Sequence, residues 1–409
     1  MTGSRKVAIV GGGQAGFQAA ASLREQGFVG PISIYGEEPY LPYQRPPLSK
    51  TYLKEAASAD KLTFRAGAFY ADKRIAVHTG ARVVAIDRAA RTLALASGET
   101  AGWDHLVLAT GVANRRLPVD GAGLDGVVML RGLDDAHAIR ARMAAAPHLL
   151  IVGGGIIGLE VAALARGLGL AVDIVELGDR LVGRIGTAAL SDTLLHYHRG
   201  LGVTVHLGAS VARLDGHDGR VTAAELSDGR RIETPLVLVC IGVTANTALA
   251  EAAGLEVRDG IVVDPQMRTS DHAIFAIGDC ARFAPPHGVL PSVRLESVQN
   301  AIDQGRCAAE SIAGRPRAFD ALPWFWSDQG SLKLQIAGLV HGHDHAIVKA
   351  DAAKGTLSVF CFAGDVLVGV ECINRPADFM AARRVLGART LVRAADLEAA
   401  GFDLKRFMR

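Results

Sequence analysis

The chain has 409 residues, 49 % of them apolar, and a formal net charge of +2. That length exceeds one ordinary core and suits two or three domains. The mixed, near-neutral charge gives no footing for nucleic acid or an anionic membrane as a standing partner. No apolar run reaches the roughly 18–20 residues that cross a bilayer, and no secretory pattern precedes the first strand-like run at Val7. A cytoplasmic protein is expected.

The first element, VAIVGGGQAG from Val7 to Gly16, is an apolar strand that turns through Gly11, Gly13 and Gly16 into a helical pattern. In that context the first glycine allows a tight turn, the second lets a pyrophosphate approach the backbone, and the third lets helix and strand pack closely. A second strand, ISIY, ends just before Glu37, where a carboxylate can accept hydrogen bonds from ribose hydroxyls. An apolar strand running into a glycine turn, DHLVLATGV (Asp104 to Val112), closes this unit.

The pattern then repeats. LLIVGGGIIGLE carries Gly153, Gly155 and Gly158 after a strand, AVDIVE ends at Glu176, and PLVLVCIGV (Pro235 to Val243) is the matching closing strand. A carboxylate at Glu176 accepts from a free 2′-hydroxyl and repels a 2′-phosphate, which favours NADH over NADPH. Arg180 pulls the other way, because a guanidinium there can pair with a 2′-phosphate. Two nucleotide sites in one chain suit a resident flavin and an exchanging nicotinamide. AIGDCA agrees with this, since Gly278 allows close backbone approach and Asp279, at a strand end, is placed to accept from a ribityl hydroxyl of FAD.

A helical pattern follows from Glu296 to Ala313, and from Pro323 onward short alternating strands (LKLQIAGLV, HAIVKA, TLSVFCFAG, VLVGVECI) precede a helical tail, as in a third, α+β domain. HGHDH (His341 to His345) lies between two strand patterns, and no metal site is expected there. HYH (His196 to His198) spans i to i+2 on a helix, shares no face, and reads as surface. The five cysteines include no CxxC and no close pair, as expected of reduced, core-packed thiols.

GGGQAG, ATG, GGGIIGLE and IGDCA together resemble the two-dinucleotide flavoprotein reductases of the glutathione-reductase architecture. LPYQRPPLSK (Leu41 to Lys50), RLESVQNA (Arg294 to Ala301) and PWFWSDQG (Pro323 to Gly330) narrow the resemblance to the ferredoxin reductases of oxygenase systems. The resemblance implies an α/β fold with two Rossmann-like domains and a C-terminal α+β domain. Its boundaries would be 1–112 with 245–322 for FAD, 113–244 for NADH, and 323–409 for the interface domain.

By the same resemblance, FAD would be lined by Gly11, Gly13, Ala15, Gly16, Glu37, Arg45, Lys50 and Val83. Ala109, Thr110, Gly111, Arg131, Gly278, Asp279 and Val298 would complete that set, and Trp326 with Glu296 would shape the place where nicotinamide meets flavin. NADH would be met by Gly153, Gly155, Ile156, Ile157, Gly158, Glu160, Glu176, Arg184 and Gly242. Lys50, paired with Glu160, would sit at the reactive N5 edge, and the helix beginning near Val298 would stabilise the reduced ring. The chain departs from the family at Ala245, where relatives often carry a proline in the turn after the second closing strand.

Disulfide-reducing relatives need a cysteine pair beside the flavin, and related peroxidases place a single cysteine where this chain has RPPLSK. Without a thiol relay, electrons would pass outward directly, which fits the partner that the resemblance implies, an acidic two-iron ferredoxin that supplies a haem monooxygenase or a ring-hydroxylating dioxygenase. Arg65, Lys73, Lys333, Arg383 and Arg384 are candidates for a basic docking face, but the sequence does not place them on one face and a scattered solvated surface is the preferred reading. Two other readings stay open: a binding flavoprotein of the apoptosis-inducing-factor branch that responds to NADH, and an NADH oxidase or quinone reductase. Monomer and homodimer are both compatible with the sequence.

Overall fold

Val7–Val10 and the last four residues of His148–Val152 are buried without alternation, as in parallel strands covered on both faces. Each is the central strand of its own five-stranded parallel sheet. The computed structural model describes residues 5–55 and 59–408. They fall into two compact units, one of Met1–Gln44, Ser58–Ala113 and Thr244–Pro323, the other of Arg45–Ala57, Asn114–Val243 and Trp324–Arg409.

In the first unit the strand order is Ile274–Ala276, His105–Leu108, Val7–Val10, Ile32–Tyr35, Ile75–His78. Val7 stands in register with both Ile32 and His105. The crossover helix Gln14–Glu25 packs along Val298–Ile312. Gly305 makes that approach possible, because a Cβ there would lie 3.1 Å from both Ala15 O and Ala19 N. The Val298 helix starts two residues later than its sequence pattern suggests, because the Ser297 hydroxyl accepts from Asn300 N and so caps it.

In the second unit the parallel order is Val203–Leu207, Ala171–Glu176, His148–Val152, Val237–Val239, Val127–Val128. An antiparallel meander, Val211–His217, Arg220–Leu226 and Arg231–Glu233, shares a core with this sheet through Leu150, Val175, Leu214 and Val221. A third, antiparallel sheet runs Trp324–Gln329, Leu332–Gly338, Val366–Ile373, Thr356–Ala363, His345–Asp351, with the helix Pro376–Gly387 packed on it. The α/β class with a C-terminal α+β part is thus the one the sequence implies. The helices of the described residues include none long and apolar enough to cross a membrane.

The helix Ala188–Gly200 is tied to the C-terminal sheet by polar contacts that apolar patterning does not announce. Thr187, its N-cap, donates its N–H and hydroxyl to fully buried Glu371, at 2.9 and 2.5 Å. Burial pushes the Glu371 carboxyl up, although the Thr187 hydrogen bonds oppose this. His198 is not surface, as its sequence context suggests, but fully buried, with Nε2 2.9 Å from Gln329 Oε1. The expectation fails because Gln329, which receives the ring, lies 131 residues further along the chain.

Candidate functional site

Both glycine loops are closed by the same contacts. Gly11 has φ +118°, and a Cβ on it would stand 2.1 Å from Ala109 O; Gly153 has φ +109°, and its Cβ would stand 2.3 Å from Cys240 O. The third glycines close the helix onto the loop, since a Cβ at Gly16 would lie 2.0 Å from Gly11 O and one at Gly158 would lie 2.5 Å from Gly153 O. Only glycine fits these four positions.

The middle glycines are different. Gly13 and Gly155 are the N-caps of Gln14–Glu25 and Ile156–Gly167, and a Cβ on either would meet nothing within 4 Å. Neither cap has a side-chain hydrogen bond, and neither first turn has an acidic residue. Each loop therefore offers unfilled space beside uncapped N–H groups at a positive helix end, which fits the pyrophosphate of a dinucleotide.

Around the first loop, Ala109, Thr110 and Gly111 follow His105–Leu108, and Thr110 Oγ1 donates to Asn246 O at 2.7 Å. Gly278, at φ +76°, brings the turn that carries Asp279 against Ala15: a Cβ on Gly278 would lie 2.9 Å from Ala15 Cβ. Glu37 lies two residues beyond the end of the second strand, Ile32–Tyr35, with an exposed side chain 3.6 Å from Arg82 Nε. Val83 is buried, and Glu296 is paired with Arg294 at 2.8 Å. Sequence reading missed Gln304, fully buried on the Val298 helix. It accepts from Gly278 N at 2.7 Å, and its Nε2 has no hydrogen-bond partner among the described residues. A glutamine on the buried face of that helix was the available signal.

In the second unit, Glu176 reaches back to the glycine loop, accepting from Gly154 N at 2.6 Å and from Gly178 N at 2.7 Å. Arg180 turns to its own loop, donating to Gly186 O at 2.7 Å and Gly183 O at 3.0 Å. Ile157 is exposed at the helix start with half-buried Ile156 beside it, and a Cβ on Gly242 would lie 3.4 Å from Arg184 Nη1. Arg45 donates to Arg131 O at 2.8 Å, and Trp326 packs against Trp324 with ring centroids 5.5 Å apart. Arg383 covers Trp324, 4.3 Å from its ring centre.

The same unit brings Lys50 and Glu160 together. Lys50 Nζ lies 2.8 Å from Glu160 Oε2, with the lysine side chain 21 % exposed and the glutamate 4 %. Ser49 donates to the same oxygen and Ser327 to the other, at 2.6 Å.

Residues 5–305 match the family described as pyridine nucleotide-disulphide oxidoreductase, and residues 324–408 match the family described as reductase C-terminal. Rhodocoxin reductase of Rhodococcus erythropolis is 45 % identical over 402 residues, covering 98 % of this chain and 93 % of the relative. The chain belongs to the ferredoxin-reductase branch of the pyridine nucleotide-disulphide oxidoreductases. Within that branch, the solved ferredoxin reductase for the CYP199A2 system from Rhodopseudomonas palustris superposes with a TM-score of 0.95 at 44 % identity, covering 98 % of this chain and 99 % of that one. Putidaredoxin reductase, solved in covalent complex with putidaredoxin, superposes with a TM-score of 0.94 at 38 % identity, covering 99 % and 98 %. The wider family is named for disulfide chemistry, yet all five cysteines of this member are free.

Proposed function

We propose that this protein is an FAD-containing NADH:ferredoxin reductase, working in the cytoplasm and delivering electrons to an acidic two-iron ferredoxin that serves a haem monooxygenase or ring-hydroxylating dioxygenase. The observation that carries the reading is the pair of open glycine cradles in a chain whose five thiols are all unpaired, four of them buried and Cys240 half-buried. The domain assignment is residues 1–112 with 245–322 for FAD, 113–244 for NADH and 323–409 for the C-terminal domain.

Bound FAD supplies a ring that takes a hydride from NADH and releases its electrons singly. The loop of Gly11, Gly13 and Gly16 holds its pyrophosphate, while Glu37 and Asp279 accept from its ribose and ribityl hydroxyls. On the NADH side, Gly155 and the Ile156 helix end hold the second pyrophosphate. Glu176, already drawn against the loop by Gly154 N and Gly178 N, presents negative charge where a 2′-phosphate would bring more. Arg180 donates to loop carbonyls, which supports NADH over NADPH. Hydride transfer needs alignment rather than a side-chain acid or base, so the work assigned to Lys50, Glu160 and Trp326 is placement.

Anaerobic stopped-flow tests this. NADH is expected to bleach the flavin rapidly, NADPH to do so at least about tenfold more slowly, and an oxidised two-iron ferredoxin to restore the oxidised flavin rapidly. Fast bleaching with no transfer to any of several ferredoxins would overturn the acceptor in favour of oxygen or quinones, and slow bleaching would favour an NADH-responsive binding protein.

A further inference from the structure

Glu160 lies in the second turn of Ile156–Gly167, on the face packed against the strand Trp324–Gln329. Alternation along that strand puts Ser327 and Gln329 on one face and Trp326 on the other. Ser327 and Gln329 are both fully buried. Ser327 Oγ donates to Glu160 Oε1 at 2.6 Å, Gln329 Nε2 donates to Ser327 Oγ at 3.3 Å, and Gln329 Oε1 lies 2.9 Å from His198 Nε2. An amide oxygen only accepts, so His198 carries its proton on Nε2, and every donor in the chain points toward the carboxylate. From the opposite side Lys50 and Ser49 meet Oε2.

We infer that Ser327, backed by Gln329 and His198, is a positioning residue through which the C-terminal sheet sets the place of Glu160 and thereby of the Lys50 ammonium. A carboxylate held at one oxygen only can rotate about its last torsion, which is broad and has no deep well. Held at both oxygens, it gives Lys50 one direction in which to pair. Among the described residues Lys50 has one further acceptor, Pro46 O at 3.3 Å, too long to fix it alone. The consequence for electron transfer rests on the function proposed above; the effect on Lys50 itself does not.

The test uses the flavin-loaded full chain with Ser327→Ala, Ser327→Thr and, as a control on the adjacent hairpin, Ser331→Ala. Two readouts are taken: the rate at which an amine-acylating reagent labels Lys50, followed by mass spectrometry, and the limiting rate and apparent KM for flavin reduction by NADH. Ser327→Ala is expected to speed Lys50 labelling several-fold and to lower the limiting rate about tenfold, the loss of one hydrogen bond to a charged group. Ser327→Thr should restore both, Ser331→Ala should change neither, and Ser327→Ala should cost nothing further in a Lys50→Met background. A folded Ser327→Ala protein with unchanged Lys50 labelling overturns the inference, as does a fall in rate that persists undiminished beside Lys50→Met. Should Ser327→Ala fail to fold, Gln329→Met reads the same coupling one hydrogen bond further out: faster Lys50 labelling supports the inference and unchanged labelling overturns it. If NADH fails to reduce even the unmodified protein, the function falls while the labelling arm still decides the positioning role.

Discussion

A methyl group added at Gly155 meets empty space, and the same group at Gly153 meets a carbonyl oxygen 2.3 Å away in a backbone of φ +109°. The two glycines sit two residues apart and separate ligand binding from folding. Gly153→Ala is expected to destabilise the protein by at least about 2–3 kcal/mol, through strain and steric conflict, read as an earlier denaturant midpoint. Gly155→Ala leaves a compatible backbone and costs no more than about 1 kcal/mol as a cap change, yet it fills the space a pyrophosphate needs. Its expected signature is a KM for NADH raised about tenfold or more with a nearly unchanged melting curve. A variant that binds NADH normally would remove the pyrophosphate from this loop.

Among the elements, the strands His148–Val152, Ala171–Glu176 and Val203–Leu207 carry a polar cluster beside their apolar face. Asp173 accepts from His148 Nε2 at 2.8 Å with one oxygen and from His206 Nε2 at 2.6 Å with the other, and His206 Nδ1 meets Arg230 at the meander turn. Burial opposes charge on Asp173, but the hydrogen bonds from the two histidines outweigh it and hold the carboxyl below its ordinary value. A depressed carboxyl stabilises the fold above its unfolded value, about 3.9, and that contribution disappears as pH falls through the lower folded value. Asp173→Asn should therefore cost about 1.5–3 kcal/mol near neutral pH, typical of hydrogen bonds to a charged group. The gap to the unmodified protein should close below about pH 4. A deficit constant from pH 7 to pH 3 in urea titrations would show that packing, rather than the carboxylate, is what the substitution removes.

Taken whole, the molecule keeps the two-dinucleotide plan of a disulfide-reducing family with no thiols suited to that chemistry. Burial pushes Cys240, Cys307 and Cys372 up to about 12 and raises Cys280 and Cys361 as well. Since the thiolate is the reactive species, native protein at pH 7 should resist iodoacetamide, with its NADH-to-ferredoxin rate changed less than about twofold. Inactivation in step with the labelling of one cysteine would restore a thiol to the electron path and contradict the proposed route.

What the sequence by itself determined is local and periodic. The three glycines of each loop lie within six residues of one another, so strand, turn and helix were legible from adjacent letters, and the duplicated sheets followed from their repetition. The C-terminal part was legible as alternating strands, although the strand Trp324–Gln329 carries no apolar alternation strong enough to announce itself. Only the tertiary structure decided which polar residues are buried and what they meet. Ser49 and Ser327 reach Glu160 across 111 and 167 residues of chain, and the partners of His198, Glu371 and Asp173 also come from other elements. Hydrophobic periodicity identifies the face an element buries. It does not say which hydroxyl, amide or carboxylate on that face will find a partner, because hydrogen bonding inside a core depends on ångström-scale placement of elements remote in sequence.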